Sequence, residues 1–252
     1  LLVLCRTTPL LAGLHVRYLV SVSPLLGWPT DQWHVAAFGL ALPSGVVAVL
    51  CVARTAALVL FTTGVRAREA GVAAGLCGWA VMTQDAVAYI NTLHLLCLGL
   101  VVLALGGGGS TLAVLPERED DPPSARALVQ ALVVSVYAWG GLAKLNASWL
   151  SGDALASFRE AGSVGGPIAD ALASSPGVLR AAAWLVAATE LAIGPLLLWR
   201  RTRAVAVVAA LAFHAVLESV VHPDVFGYAM AILLLGFVGT PSLRGGDEDA
   251  GS

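Results

Sequence analysis

Lysine is almost missing from this chain: among its 14 Lys and Arg residues, Lys144 is the sole lysine, and charged residues of all kinds make up 12% of the sequence. A soluble globular chain carries about 25%, so an ordinary water-solvated surface is excluded. Cationic excess is missing too. With a formal charge of -2 and a pI near 6.2 there is no basic field to hold a phosphate backbone, and nucleic-acid partners are set aside. Cysteine is sparse and unpatterned. Cys5, Cys51, Cys77 and Cys97 each lie in an apolar stretch without a CxxC pair or zinc-type spacing, and they read as small buried hydrophobes. Internal repeats are absent, and with them the paired halves of a secondary transporter.

What fills the chain instead is apolar. Hydrophobic residues reach 58% and mean hydropathy is +0.84, and several runs approach the roughly 20 residues needed to cross a hydrocarbon core. Hydropathy predicts helices at about 3–22, 35–61, 68–84, 89–105, 125–143, 178–199, 204–221 and 225–240. The fold class is therefore an all-α integral membrane protein, a polytopic bundle of about eight transmembrane helices with short interfacial helices after the fifth. Pro43 predicts a kink or an interfacial turn in the long second helix. The third is the weakest, diluted by Gly71, Gly75, Gly78, Thr83 and Gln84.

Orientation follows the arginines, because short cytoplasmic loops retain basic residues. Arg66 and Arg68 lie between the second and third helices, and Arg200, Arg201 and Arg203 between the sixth and seventh. Four crossings separate the two groups, so both face the cytoplasm, as do both termini, in a multi-pass protein of the cell membrane. The segment of about 144–175 then faces outward. Its glycines and Pro167 break it, while Trp149, Leu155, Phe158 and Ile168 argue for one or two short interfacial or re-entrant helices. Residues 1–243 form one transmembrane domain containing a flexible, acidic cytoplasmic loop at about 106–124; residues 244–252 form a disordered acidic tail.

Few side chains here can do chemistry. Lys144 follows Tyr137 by seven residues and shares its helix face, while Gly140 and Gly141 allow a neighbouring helix to approach. An anchoring, snorkelling lysine is the plain reading. A lysine drawn out of water gives up its proton more easily and can act as a general base. Glu190 lies inside "AATELAIGPLLLW", where a carboxylate costs a few kcal/mol and calls for a partner. His94, with Asn91 three residues before it, reads either as an interhelical hydrogen bond or as a functional imidazole. His214, Glu218 and His222 recur every four residues, but Pro223 ends the helix there, and no metal site is expected. Asp85 and Glu218 read as boundary residues.

The stretch "YAWGGLAKLNASWLSGDAL" resembles the aromatic-x-x-x-Gly-x-x-Lys-Leu-x-x-x-Trp-x-x-Gly motif of the HTTM domain, the transmembrane module shared with vitamin K-dependent gamma-carboxylase. "NTLHLLCLGLVVLA", "TELAIGPLLLWRRTRAVAVVAALAFH" and "FGYAMAILLLGF" resemble later stretches of that domain in order, and "LCRTTPLLAGLHV" its first helix. The resemblance implies a reduced quinone as cofactor, of the vitamin K hydroquinone or menaquinol type. Lys144 would be the base that deprotonates it. His94, His214, Asn91, Tyr137, Trp149 and Glu190 would line the cofactor-binding pocket. The carboxylase's large peptide-gripping region has no counterpart in these 252 residues, so the narrower implication is quinol-coupled oxygenation or carboxylation-type lyase chemistry near the outer face. The expected partners are membrane lipid, the quinol and an unidentified protein or peptide substrate. Two other readings stay open: a non-catalytic DoxX-like membrane subunit assisting a redox partner, and a transporter using Glu190, Glu218 and His214.

Overall fold

A computed structural model describes residues 8–15, 42–84, 91–106, 124–221 and 225–238, without the side chains of residues 91, 124 and 125. Most of the first predicted span, the loop predicted around 106–124, the tail 244–252, Asp85 and His222 lie outside them. All regular structure among the described residues is helical. In order these are α1 (residues 8–15), α2 (Ser44–Thr63), α3 (Ala67–Met82), α4 (Asn91–Leu105), α5 (Ser124–Ala143), α6 (Ala147–Leu150), α7 (Asp153–Glu160), α8 (Pro167–Leu172), α9 (Pro176–Leu198), α10 (Arg203–Val220) and α11 (Phe226–Leu234), which runs into a 3-10 turn at Leu235–Phe237.

Four stretches are long and apolar enough to cross a membrane: Ser44–Thr63, Arg126–Ala143, Pro176–Leu198 and Arg203–Val220; Thr92–Leu105 and Phe226–Phe237 are shorter apolar helices. Much of their apolar surface points away from the protein. Val52 is 63% exposed, Leu185 68% and Val205 70%, a distribution that suits lipid and not water.

α2 starts later than its hydropathy predicts. Pro43 precedes the first helical residue instead of kinking the helix, since a missing N–H costs nothing at a helix start. Its carbonyl accepts from Val46 and Val47 at 2.8 and 3.1 Å. The helix ends at Gly64, whose φ of 76° is left-handed and lets the Val65 N–H reach back to the Leu60 carbonyl at 2.9 Å.

The glycines that made the third span look weak are its packing face. Gly71, Gly75 and Gly78 are buried. A Cβ at Gly71 would fall 2.6 Å from that of Ala104, and one at Gly78 would fall 2.6 Å from the Arg54 Cζ. Small residues at this spacing bring membrane helices close enough for dispersion to hold them.

α4 carries apolar residues all round and joins two cores. Leu100 and Ala104 pack with Leu58, Phe61 and Ala74 of α2 and α3. Leu96, Cys97 and Leu103 pack with Val133 of α5, Ile193 of α9 and Met230 of α11.

Within the first core lies an arginine that the sequence reading passed over. Arg54 is completely buried, and its Nη2 donates to Cys97 Sγ at 3.8 Å. Cys97 is thus more than the buried hydrophobe expected of it. His15 is also fully buried.

The helix ends near the second arginine group are held by side-chain donors, two of them arginines, whose charge suits carbonyl ends. Arg126 Nε and Gln130 Nε2 donate to the Gly236 carbonyl at 2.9 and 3.0 Å, and Arg203 Nε donates to that of Leu197 at 3.0 Å. At the opposite end, residues 144–175 form three short helices instead of one or two. They lie across the start of α9 and the end of α10: Gly165 N–H donates to the Val220 carbonyl at 3.0 Å, and Gly152, at φ 92°, backs onto Arg180.

Candidate functional site

Tyr137, Gly140, Gly141 and Lys144 follow one another at helical spacing where α5 meets α9. Gly141 sets the helix separation, for a Cβ there would sit 2.7 Å from Leu191 Cγ and 3.0 Å from its backbone nitrogen. Gly140 opens a slot for the Glu190 carboxylate, whose oxygens would lie 3.3 and 3.5 Å from a Cβ at that position. Lys144 closes the slot. Its Nζ donates to Glu190 Oε2 at 2.6 Å and to the Gly140 carbonyl at 3.1 Å. The pair is largely withdrawn from solvent, with side-chain exposures of 21% and 13%. The carboxylate that the apolar α9 had to accommodate thus has its partner.

Trp149 completes the mouth of the site. Asn146 caps α6 by accepting from the Trp149 N–H at 3.0 Å, and its own amide donates to the Ala143 carbonyl at 2.8 Å. That turn carries the indole over the lysine, with Nζ 5.1 Å from the ring centroid. The indole Nε1 donates to the Ala183 carbonyl at 3.0 Å, pinning the ring to α9. An ammonium above an indole face gains about 0.5–2 kcal/mol.

Deeper in, the Tyr137 hydroxyl and His214 Nε2 share a hydrogen bond of 2.8 Å. Both side chains are buried, and Phe213 and Phe226 pack edge-on against the imidazole. Tyr137 lies seven residues before Lys144 on the same face of α5, so the ion pair to α9 and the hydrogen bond to α10 are carried by one helix face.

Lys144, Glu190 and Trp149 therefore come together, and Tyr137 and His214 form a second pair, with Tyr137 and Lys144 on the same face of α5. His94 is placed elsewhere: its Nδ1 accepts from Trp79 Nε1 at 2.9 Å, tying α4 to α3. Asn91 is the first residue of α4, and its side chain lies outside the described residues. Glu218 is committed to α11, where its Oε1 accepts from the Gly227 N–H at 3.1 Å. The sequence reading missed the buried Arg54 and His15. The signal was available, because an arginine inside "VLCVARTAALVLF" is as costly as the glutamate that did draw notice.

The sequence model of the HTTM domain matches residues 32–240. The chain belongs to the HTTM domain family. The match covers the residues from Tyr137 to His214 and both helix cores from α2 onward, so the polar groups just described are part of this chain's HTTM domain. Comparison with curated proteins and with solved structures yields no match.

Proposed function

We propose that this HTTM protein is a carboxylase-like membrane enzyme that binds a reduced quinone in the crevice among α5, α9 and α10 and takes a hydroxyl proton from it. The carrying observation is that one face of α5 carries both the Lys144–Glu190 pair beneath Trp149 and the Tyr137–His214 hydrogen bond. A membrane-dissolved ring needs an apolar approach, supplied by the outward apolar faces of α9 and α10. It also needs a few polar groups to orient its hydroxyls, supplied by that crevice. Removing a phenolic proton needs a base within reach of the hydroxyl, and in this reading Lys144 is that base, positioned by Glu190, the Gly140 carbonyl and Trp149.

This reading includes the finer architecture. The bundle has about eight spans, residues 144–175 form an interfacial cap on the outer side, and both termini and both arginine groups are cytoplasmic. The capping of helix ends by Arg126 and Arg203, opposite the Lys144 end, supports that polarity. The acceptor that uses the activated quinol is a peptide or small organic acid at the outer face.

Purified protein in nanodiscs, supplied with vitamin K hydroquinone or menaquinol and oxygen, should oxidise the quinol, and Lys144→Ala should lower the rate about 100-fold or more. Equal rates for both proteins and for empty discs would reject the enzyme reading in favour of a non-catalytic subunit.

A further inference from the structure

The structure assigns a surface site for an anionic phospholipid to the turn between α9 and α10, where Arg200 and Arg201 take the headgroup phosphate and Leu198, Trp199 and Val205 meet the acyl chains. This turn lies at the end of the bundle away from Lys144, because α9 runs antiparallel to α5: Glu190 faces Gly140, while Gly194 lies against Val134.

The turn meets its own needs without those two arginines. The last carbonyls of a helix lack partners within it, and here other groups supply them. Thr202 Oγ1 donates to the Leu196 carbonyl at 2.8 Å, Arg203 Nε to that of Leu197 at 3.0 Å and Arg203 Nη2 to that of Leu198 at 3.5 Å. The backbone N–H groups of Thr202 and Arg203 donate to the Trp199 carbonyl at 3.1 and 3.0 Å. Arg203 also lies over the Phe237 ring, and Arg126 is spent on the Gly236 and Val238 carbonyls. Arg200 and Arg201 have no such duty. Both are exposed, and neither forms a hydrogen bond or ion pair among the described residues.

No described carboxylate is available to them. Asp153, Glu160 and Asp170 belong to the cap at the far end, Glu190 and Glu218 are bonded to Lys144 and Gly227, and Glu69 lies in the first turn of α3. Two consecutive guanidinium groups without an anion repel each other. A phosphate removes that repulsion and accepts from their planar donor forks.

The flanks decide between a dissolved phosphate and a lipid. Trp199 is 61% exposed, and Leu198 before it and Val205 after it are exposed as well. Indole rings collect where hydrocarbon meets headgroups. A dissolved anion would leave this apolar surface unused, as would the acidic stretches 117–121 and 247–249 of the chain itself. An anionic phospholipid engages both parts at once, and it lacks the choline cation that would compete with the arginines for its phosphate.

Native mass spectrometry of the detergent-purified chain, titrated with phosphatidylglycerol and with phosphatidylcholine of the same acyl chains, tests the assignment. The wild type should hold phosphatidylglycerol more tightly. Arg200→Gln together with Arg201→Gln should weaken that binding about 30-fold, at roughly 1 kcal/mol for each arginine, and leave phosphatidylcholine unchanged; both side chains are exposed, so the fold does not rest on them. Arg66→Gln with Arg68→Gln, at the other arginine-bearing turn, should preserve the preference. Trp199→Ala should weaken both lipids alike. Equal affinity for the two lipids in the wild type, or a preference that survives loss of Arg200 and Arg201, would overturn the site. Displacement of the lipid by inorganic phosphate at equal concentration would overturn it too, since the turn would then hold dissolved anions.

Discussion

The hydrogen bond between Tyr137 and His214 joins α5 to α10 through two buried side chains. Tyr137→Phe keeps the ring and removes the hydroxyl, so it isolates that bond. Interhelical hydrogen bonds in membranes are worth about 0.6 kcal/mol on average and at most about 1.7, so thermal unfolding in detergent should show a loss of about 1 kcal/mol with the fold retained. Lys144 and Glu190 were each visible in the sequence, because an ionisable residue among apolar ones stands out whatever the fold. Their pairing was not, since 46 positions separate them and nothing in either local sequence names the other. Glu218 shows the converse. It looked like a companion of His214 on one helix face, yet its carboxylate is taken by the first turn of α11.

At the scale of helices, glycine spacing decides how closely the chain packs on itself. Gly141→Ala would drive a methyl group to 3.0 Å from the Leu191 backbone nitrogen, while Gly140→Ala meets the Glu190 carboxylate at 3.3–3.5 Å. The first should push α5 and α9 apart at a cost of about 1–3 kcal/mol, and the second should be milder; paired melting curves check the order. Gly78→Ala would meet the buried Arg54 guanidinium, 2.6 Å from its Cζ. Arg54 is fully buried and cannot swing away without disturbing its neighbours, so this change should also lower the melting temperature, and Gly78→Ala combined with Arg54→Leu should recover part of the loss. Hydropathy read α3 as weak because it counts glycine as merely less apolar. The same residues are what let α3 lie against α2 and α4.

For the whole molecule the open quantity is direction. In the proposed orientation Ser163, exposed between α7 and α8, faces outward, and Arg201, exposed between α9 and α10, faces the cytoplasm. With the native cysteines replaced, Ser163→Cys should react with a membrane-impermeant maleimide added to intact cells. Arg201→Cys should react only after the cells are opened. The reverse pattern would place the Lys144 mouth on the cytoplasmic side and move the quinol site to that face.

The all-helical, apolar character of this protein and the approximate positions of its helices from Ser44 onward were legible in the sequence. Hydrophobic run length is a local property, and a bilayer leaves a chain little alternative to helix. Helix starts such as the one after Pro43 needed the backbone itself, because proline serves a helix start and a kink equally well. Which polar residues meet was decided only by tertiary structure. Lys144 finds Glu190 because Gly140 and Gly141 let α5 close on α9, Tyr137 reaches across to His214 of α10, and His94 turns to Trp79 of α3. Contacts of that kind depend on how whole helices are rotated and spaced, and that information is spread over every residue that packs between them.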